Sequence, residues 1–213
     1  MTERIEGAAD GAAEPVADTA RIASRRQWPL PKQADPNAPL LRVKDLKTHF
    51  KLDRGWLHAV DGVSFGLDDG EALGLAGESG CGKTTTALSL VRLLPSNGQI
   101  RSGSVELFGI DLVPKSEKAL ERYRWREISI VFQGAMNAFN PVQRVRDQIA
   151  EPLRYRLGQS EAKSRARAVE LLDLVGIPRK RADAYPHELS GGMRQRAMIA
   201  MALSCDPAIV IGD

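Results

Sequence analysis

Cysteine is scarce in this 213-residue chain: Cys81 and Cys205 are the only two, and they lie far apart. Nothing in that spacing supports a cystine-stapled secreted fold, so a reducing, cytoplasmic compartment is expected. Long apolar runs are also lacking. None approaches the ~18 residues of a spanning helix, and the charged, Ala-rich beginning has no signal-peptide apolar core. A role at a membrane would therefore call for another subunit to cross it. Charge of one sign is missing too: 30 basic against 27 acidic residues leave a net +3. That balance is too small to name nucleic acid or an anionic membrane as partner. No internal repeat is present.

What remains is 43% apolar and 27% charged residues, the balance of a soluble globular protein. The length suits one to two domains, able to bury roughly 70% of the unfolded surface. Residues 1–39 are rich in Ala, Pro, Asp and Glu, with Pro29, Pro31, Pro36 and Pro39 clustered. They are expected to form a disordered N-terminal extension. A docking arm using Arg21, Arg25, Arg26 and Trp28 is the alternative. Order is expected from about Leu40.

Leu41–Phe50 and Ala59–Leu67 read as strands joined by a turn around Gly55 and Trp56. The short apolar run Ala72–Ala76 reads as a buried strand feeding a glycine-rich loop. A helix is predicted over Lys83–Leu93, ended by the breakers Leu94 to Gly98. Ser104–Phe108 is a predicted strand, Glu117–Arg126 a charged helix and Ile128–Phe132 another strand. From Ser160 to Val175, Ala162, Ala166, Val169 and Leu172 recur at helical intervals, with Ser160 as cap and Gly176 as stop. A last helix covers Met193–Ser204, and Ala208–Ile211 is an apolar strand with Asp213 at its carboxyl end.

The loop Gly77-Glu78-Ser79-Gly80-Cys81-Gly82-Lys83-Thr84 has the spacing of a phosphate-binding loop between strand and helix. Glycines allow backbone conformations that side chains forbid, so successive amides converge on phosphate oxygens. Lys83 adds a point charge, the helix presents its positive end, and the Thr84 hydroxyl suits a magnesium ion. Thr85 closes the motif. Leu189-Ser190-Gly191-Gly192-Met193-Arg194-Gln195 is a second anion-binding pattern: a hydroxyl, exposed amides and a helix N-terminus. Taken only as local structure, it is also a well-capped helix start. Two such sites beside one nucleotide loop suggest that Ser190, Gly191 and Gly192 serve a neighbouring molecule's nucleotide.

Together, the Gly77 loop, Gln133 after a strand, Leu189-Ser190-Gly191-Gly192 and Asp213 ending an apolar strand resemble the ATPases of ABC transporters, over about residues 40–213. The resemblance implies an α/β P-loop fold with an antiparallel β subdomain and a helical subdomain at about 137–185. It also implies ATP and Mg2+ as ligands, with Lys83, Gln133 and Asp213 in the catalytic machinery and Thr84, Gln133 and Asp213 around the metal. A second ATPase subunit, the same or different, completes each site. Asn140-Pro141, Gln148 to Leu153, Tyr185-Pro186-His187-Glu188 and Met198 to Leu203 resemble the ATP-binding subunits of dipeptide, oligopeptide and nickel importers. These imply permease subunits as partners, indirectly a solute-binding protein, and a peripheral place on the cytoplasmic face of the membrane.

The resemblance stops at Asp213, where a full subunit would continue with a glutamate, a dimer-facing aspartate loop and a switch histidine. Loss of a general base costs about 10²- to 10⁴-fold in rate, so this polypeptide alone is expected to hydrolyse ATP poorly. A soluble ABC protein acting on ribosomes or nucleic acid is the competing class, but it would bring two cassettes or a long coiled-coil insertion. A truncated, non-catalytic nucleotide-binding fragment is the third.

An aromatic residue stacks on adenine in this family. Trp56 is preferred, with Phe50 as the alternative. Cys81 occupies a position where a helix N-terminus and Lys83 favour a reactive thiol. The arginine-rich stretches read as solvated helix faces rather than nucleic-acid contacts, and the segment Phe139–Tyr155 as a contact with a membrane subunit. His187 and Glu188 read as ordering the loop before the serine-glycine pattern. His49 and His58 form no metal-ligand spacing with the cysteines.

Overall fold

The structure is a computed structural model that describes residues 31, 34, 35, 37–132 and 138–213. The chain divides into two compact units, the first running to Ser116 and the second covering Glu117–Asp213.

In the first unit, β1 (Leu41–Leu52), β2 (Gly55–Leu67), β3 (Gly98–Leu107) and β4 (Ile110–Asp111) form an antiparallel sheet in the order β2-β1-β3-β4. β1 and β2 are a tight hairpin, with Leu52 opposite Gly55 and two residues, Asp53-Arg54, between them. The predicted strand bounds were too short because the ladder continues through Lys51-Leu52 and Gly55 to His58 up to a two-residue turn, where Gly55 and Trp56 were expected to be the turn itself. The inner face of β1 carries Leu41, Val43, Leu46 and Thr48, all buried. α1 (Lys83–Leu90) contacts β1 and β2.

Thr48 and Ser89 are fully buried polar residues, and each is satisfied. Ser89 Oγ donates to the Thr85 carbonyl at 2.7 Å. Its single proton is thereby committed, so in the 2.8 Å Thr48–Ser89 hydroxyl contact Thr48 is the donor. This chain ties the helix to the middle of the sheet.

The register of the hairpin is broken between Thr48 and His49. Thr48 pairs with Val60 but His49 with His58, leaving Ala59 as an extra residue on β2. Such a bulge redirects the following side chains to a new face. A second close approach occurs at Gly103 (φ +91°), where a Cβ would press into the Lys44 and Asp45 carbonyls.

The second unit holds α2 (Glu117–Leu120), β5 (Ile128–Val131), α3 (Val145–Leu157), α4 (Glu161–Leu174), α5 (Gly191–Ala202) and β6 (Ile209–Gly212). β5 and β6 pair in parallel, Ile128 opposite Ile209 and Val131 opposite Gly212. The three longer helices bury a common core that includes Val145, Ile149, Ala168, Leu171, Leu172, Ile177 and Ala197. Ser160 caps α4 as expected, its side chain accepting from the Lys163 amide. α3 is the element not individually predicted. Pro152 lies inside it and cannot donate to the Gln148 carbonyl one turn back. The apolar positions Val145, Ile149 and Leu153 nevertheless fall four apart and are all buried.

Three expectations need correction. Ala72–Ala76 is not a strand: no ladder pairs it among the described residues, and Leu73 and Leu75 are half-buried rather than buried. A strand exists only through a partner, and an apolar run does not supply one. The helix expected over Glu117–Arg126 ends at Leu120, after which turns carry the chain into β5. Order also begins before Leu40, since the Asp35 amide donates to the Phe108 carbonyl at 3.0 Å. Residues 1–30 lie outside the described residues.

Burial separates two neighbouring leucines of α4. Leu172 is fully buried, whereas Leu174 is 72% exposed. Leu172→Ala is expected to cost about 2–5 kcal/mol in urea unfolding, and Leu174→Ala less than about 0.5 kcal/mol.

Candidate functional site

The glycine-rich loop lies entirely in the first unit, immediately before α1. Residues Gly77 to Cys81 are exposed, and Gly82, Lys83 and Thr85 are half-buried. Gly80 and Gly82 adopt left-handed conformations, with φ of 82° and 98°. Gly82 is the N-cap of α1 and has no side chain to cap it, so the positive end of the helix faces the loop without a capping side chain in between. A Cβ on Gly82 would collide with the Ala59 carbonyl, and one on Gly77 would come within 2.6 Å of Cys81 Sγ. Gly82 is thus required by space as well as by φ, Gly80 by φ, and a side chain at Gly77 would have to displace the Cys81 thiol.

Lys83 Nζ donates to the carbonyls of Gly77 and Glu78, both at 2.8 Å, and lies 3.6 Å from Cys81 Sγ. The ammonium is therefore held across the mouth of the loop by main-chain oxygens. These contacts engage all three ammonium donors, so the grip positions the charge, and an incoming anion would take over one of them. Thr86 fastens the start of the helix, its amide and hydroxyl both donating to the Gly82 carbonyl, at 2.8 and 3.0 Å. Glu78, Ser79 and Thr84 stand with these residues in the same loop and first helical turn, as the sequence predicts.

The aromatic candidates differ in environment. Phe50 packs against Gly98, where an added Cβ would approach its ring to 2.8 Å. Trp56 is 41% exposed, with the Arg101 guanidinium 4.9 Å above its ring centroid. Trp56 is thus the more accessible ring, while Phe50 is packed against Gly98.

In the second unit, Ser190 is the N-cap of α5, its Oγ accepting from the Met193 amide at 3.3 Å. Ser190 and Gly192 are exposed. The preceding corner is fixed from both sides. Glu188 accepts from the Tyr185 amide at 2.7 Å, and Arg194 reaches back to the carbonyls of Leu189 and Pro186, at 2.7 and 3.3 Å. Glu188 is therefore an ordering residue. Asp213 is exposed at the carboxyl end of β6, its amide donating to the Val131 carbonyl of β5 at 3.0 Å. Gln133, two residues past Val131, lies outside the described residues.

Two recesses in the second unit share Gln143, Glu151 and Tyr155. One of about 370 Å³ is lined by Arg144, Asp147, Arg154 and Arg165 among others. The other, about 580 Å³, is lined by Trp125, Asn140, Gln148, Arg156 and Met201 among others. Gln148 shapes the second, since its amide accepts from the Asn140 amide at 2.8 Å and donates to the Asn140 and Gln143 carbonyls, both at 2.9 Å. Val142 and Tyr155 stand out beside these recesses, 78% and 75% exposed. No single-residue signal in the sequence marks Gln148 as the organiser of that loop.

The two thiols are unlike. Cys81 is exposed, and Cys205 is fully buried. Burial pushes the Cys205 thiol up to about 11, so it remains a protonated core group at neutral pH. Among the described residues, no helix is long and apolar enough to cross a membrane.

The model of the ABC transporter family matches residues 60–213. A peptide import ATP-binding protein of Brucella melitensis biotype 1 is 48% identical over 178 residues, covering 83% of this chain and 54% of that protein. The oligopeptide transport ATP-binding protein OppD of Bacillus subtilis is 46% identical over 177 residues, covering 82% and 49%. The chain thus spans about half the length of the curated relatives it matches. Among solved structures, the dimeric post-hydrolysis state of the ATP-binding cassette MJ0796 bound to ADP and Pi is similar, with a TM-score of 0.73 and 27% identity. That similarity covers 81% of this chain and 73% of that one. With the loop at Gly77, the antiparallel sheet and the family match agreeing, the fold is that of a P-loop ABC ATPase and the chain belongs to the ABC transporter family.

Proposed function

We propose that this chain is the nucleotide-binding part of an ABC ATPase subunit that powers peptide import. The carrying observation is Lys83 held between the Gly77 and Glu78 carbonyls at the open N-terminus of α1. The names of the relatives, peptide import and oligopeptide transport ATP-binding proteins, support the substrate class. In this reading the main-chain amides of the loop and first helical turn cradle the phosphates of ATP, and Lys83 redirects one of its loop-bound N–H donors to them. Trp56 offers its exposed face to adenine.

The hydroxyl of Thr84 is the oxygen donor proposed for Mg2+ within the first unit, an atom type that suits a hard cation. Such an ion, when bound, neutralises charge developing on the phosphates. Ser190, Gly191 and Gly192 are proposed to cap the nucleotide of a second ATPase subunit, through the α5 amides that Ser190 does not occupy. ATP then joins two subunits, and hydrolysis by water attack on the γ-phosphate releases them. The recess lined by Val142 and Tyr155 is the proposed seat of a permease subunit, and a peripheral position on the cytoplasmic face of the membrane is part of the same proposal.

Nucleotide binding is read by calorimetry on the full chain. Lys83→Ala is expected to weaken MgATP affinity roughly 10- to 100-fold, the value of a charged hydrogen bond. Gly82→Ala, which strains φ and meets the Ala59 carbonyl, is expected to weaken it at least tenfold. Wild-type affinity in both variants would remove the loop from the site.

Alkylation gives a second measure. Iodoacetamide is expected to label Cys81 and not Cys205, to block nucleotide binding, and to be slowed by prior addition of ATP. Mass spectrometry of the labelled peptides together with residual binding checks both parts.

The permease surface is tested by co-purification of the subunit with its membrane complex. Tyr155→Ala and Val142→Asp are expected to reduce recovery severalfold while MgATP binding by the isolated subunit stays at the wild-type value.

A further inference from the structure

His49, His58 and Asp61 lie on the hairpin outside the proposed nucleotide loop, and the fold brings them together. An ordinary strand would point His58 and Asp61, three residues apart, to opposite faces. The bulge at Ala59 removes that conflict. His58 falls opposite His49 and Asp61 opposite Lys47, while Thr48 between them on β1 faces the core. All three groups therefore share the outward face.

The imidazole rings of His49 and His58 stack at 3.8 Å between centroids, with 8° between planes. One ligand atom from each histidine and one Asp61 carboxylate oxygen lie within 4.8 Å of one another. His49 Nε2 is shielded from solvent and has no hydrogen-bond partner among the described residues. A shielded ring nitrogen without a partner costs free energy unless something satisfies it.

We propose that His49, His58 and Asp61 form a surface site for a divalent transition-metal ion of the zinc class, bridging β1 and β2. Two imidazoles and a carboxylate are ligands of borderline cations rather than of Mg2+ or Ca2+. Three protein ligands leave an open position for water. Nitrogen-to-zinc bonds of about 2.0–2.1 Å require the two lone pairs to converge. The parallel rings must therefore splay by rotating about their side-chain bonds. Lys47 now holds Asp61 at 3.4 Å and would be displaced by the ion. Arg101, which lies over Trp56, is a second cation close enough to act on His49. Both charges oppose the ion, so binding in the micromolar range or weaker is expected.

The site is independent of the proposed ATPase role, and its test needs no nucleotide. Zn2+ is titrated into the full chain against a metallochromic indicator at neutral pH. One equivalent is expected to bind, in the presence of millimolar Mg2+. His58→Asn and Asp61→Asn are each expected to lower the affinity at least tenfold. Both residues are exposed, so folding should survive, and circular dichroism checks it. Co2+ substituted for Zn2+ should give d–d bands without the thiolate charge-transfer absorption that Cys81 would produce. No binding up to about 1 mM Zn2+, equal affinity in both variants, or a thiolate band would each overturn the proposal. A Zn2+-dependent rise in the wild-type melting temperature, reversed by chelator, gives a reading that does not depend on the variants.

Discussion

The backbone contact between Gly82 and Ala59 is the constraint on which the first unit depends. Because Gly82 has no Cβ, the start of α1 can rest directly on the β2 main chain. The helix N-terminus is thus set by the sheet, not by a side-chain cap. The Thr48–Ser89–Thr85 hydrogen-bond chain then fixes the helix one turn further on. With both ends of its first two turns held, the loop from Gly77 to Gly82 has little freedom except in the conformations its glycines provide. Rigidity there lowers the ordering cost of binding a polyanion.

The same residue, Ala59, connects two features that otherwise look unrelated. As the extra residue of the bulge it shifts the register between Thr48 and His49, and its carbonyl is the one that Gly82 approaches. Removing the bulge would shift the pairing by one residue, moving His58 away from His49 or Asp61 away from Lys47. It would also reposition the carbonyl under the loop. Bulges persist where they re-aim a side chain or a backbone group, and this one does both within a single turn of strand.

Local chemistry in the sequence made the loop, the Ser160 and Ser190 caps and the amphipathic α4 legible. Each rests on neighbours within four residues, where spacing translates directly into geometry. What depended on distant pairing was not legible. Leu73 and Leu75 look like strand residues, yet a ladder needs a second strand, and hydrophobicity does not name one. α3 was obscured by Pro152 and by the polar residues around its apolar positions, although the four-residue repeat of Val145, Ile149 and Leu153 was present. The meeting of His49 with His58 followed from a hairpin register that no residue count across the bulge would give.

The exposed serine-glycine corner in the second unit bears on how a helix start can be both stable and receptive. Ser190 satisfies one first-turn amide, that of Met193, and so takes a share of the helix's capacity for an external anion. Gly191 and Gly192 precede Met193 in the helix, and an α-helix leaves its first four amides without internal partners. One internal cap therefore leaves a majority of that set available, while still fixing where the helix begins. Arg194 strengthens the arrangement from behind, because its bonds to the Leu189 and Pro186 carbonyls place the guanidinium on the inner side of the corner. The corner is held by its own side chains, so an incoming phosphate would meet preset amides and would not have to order them.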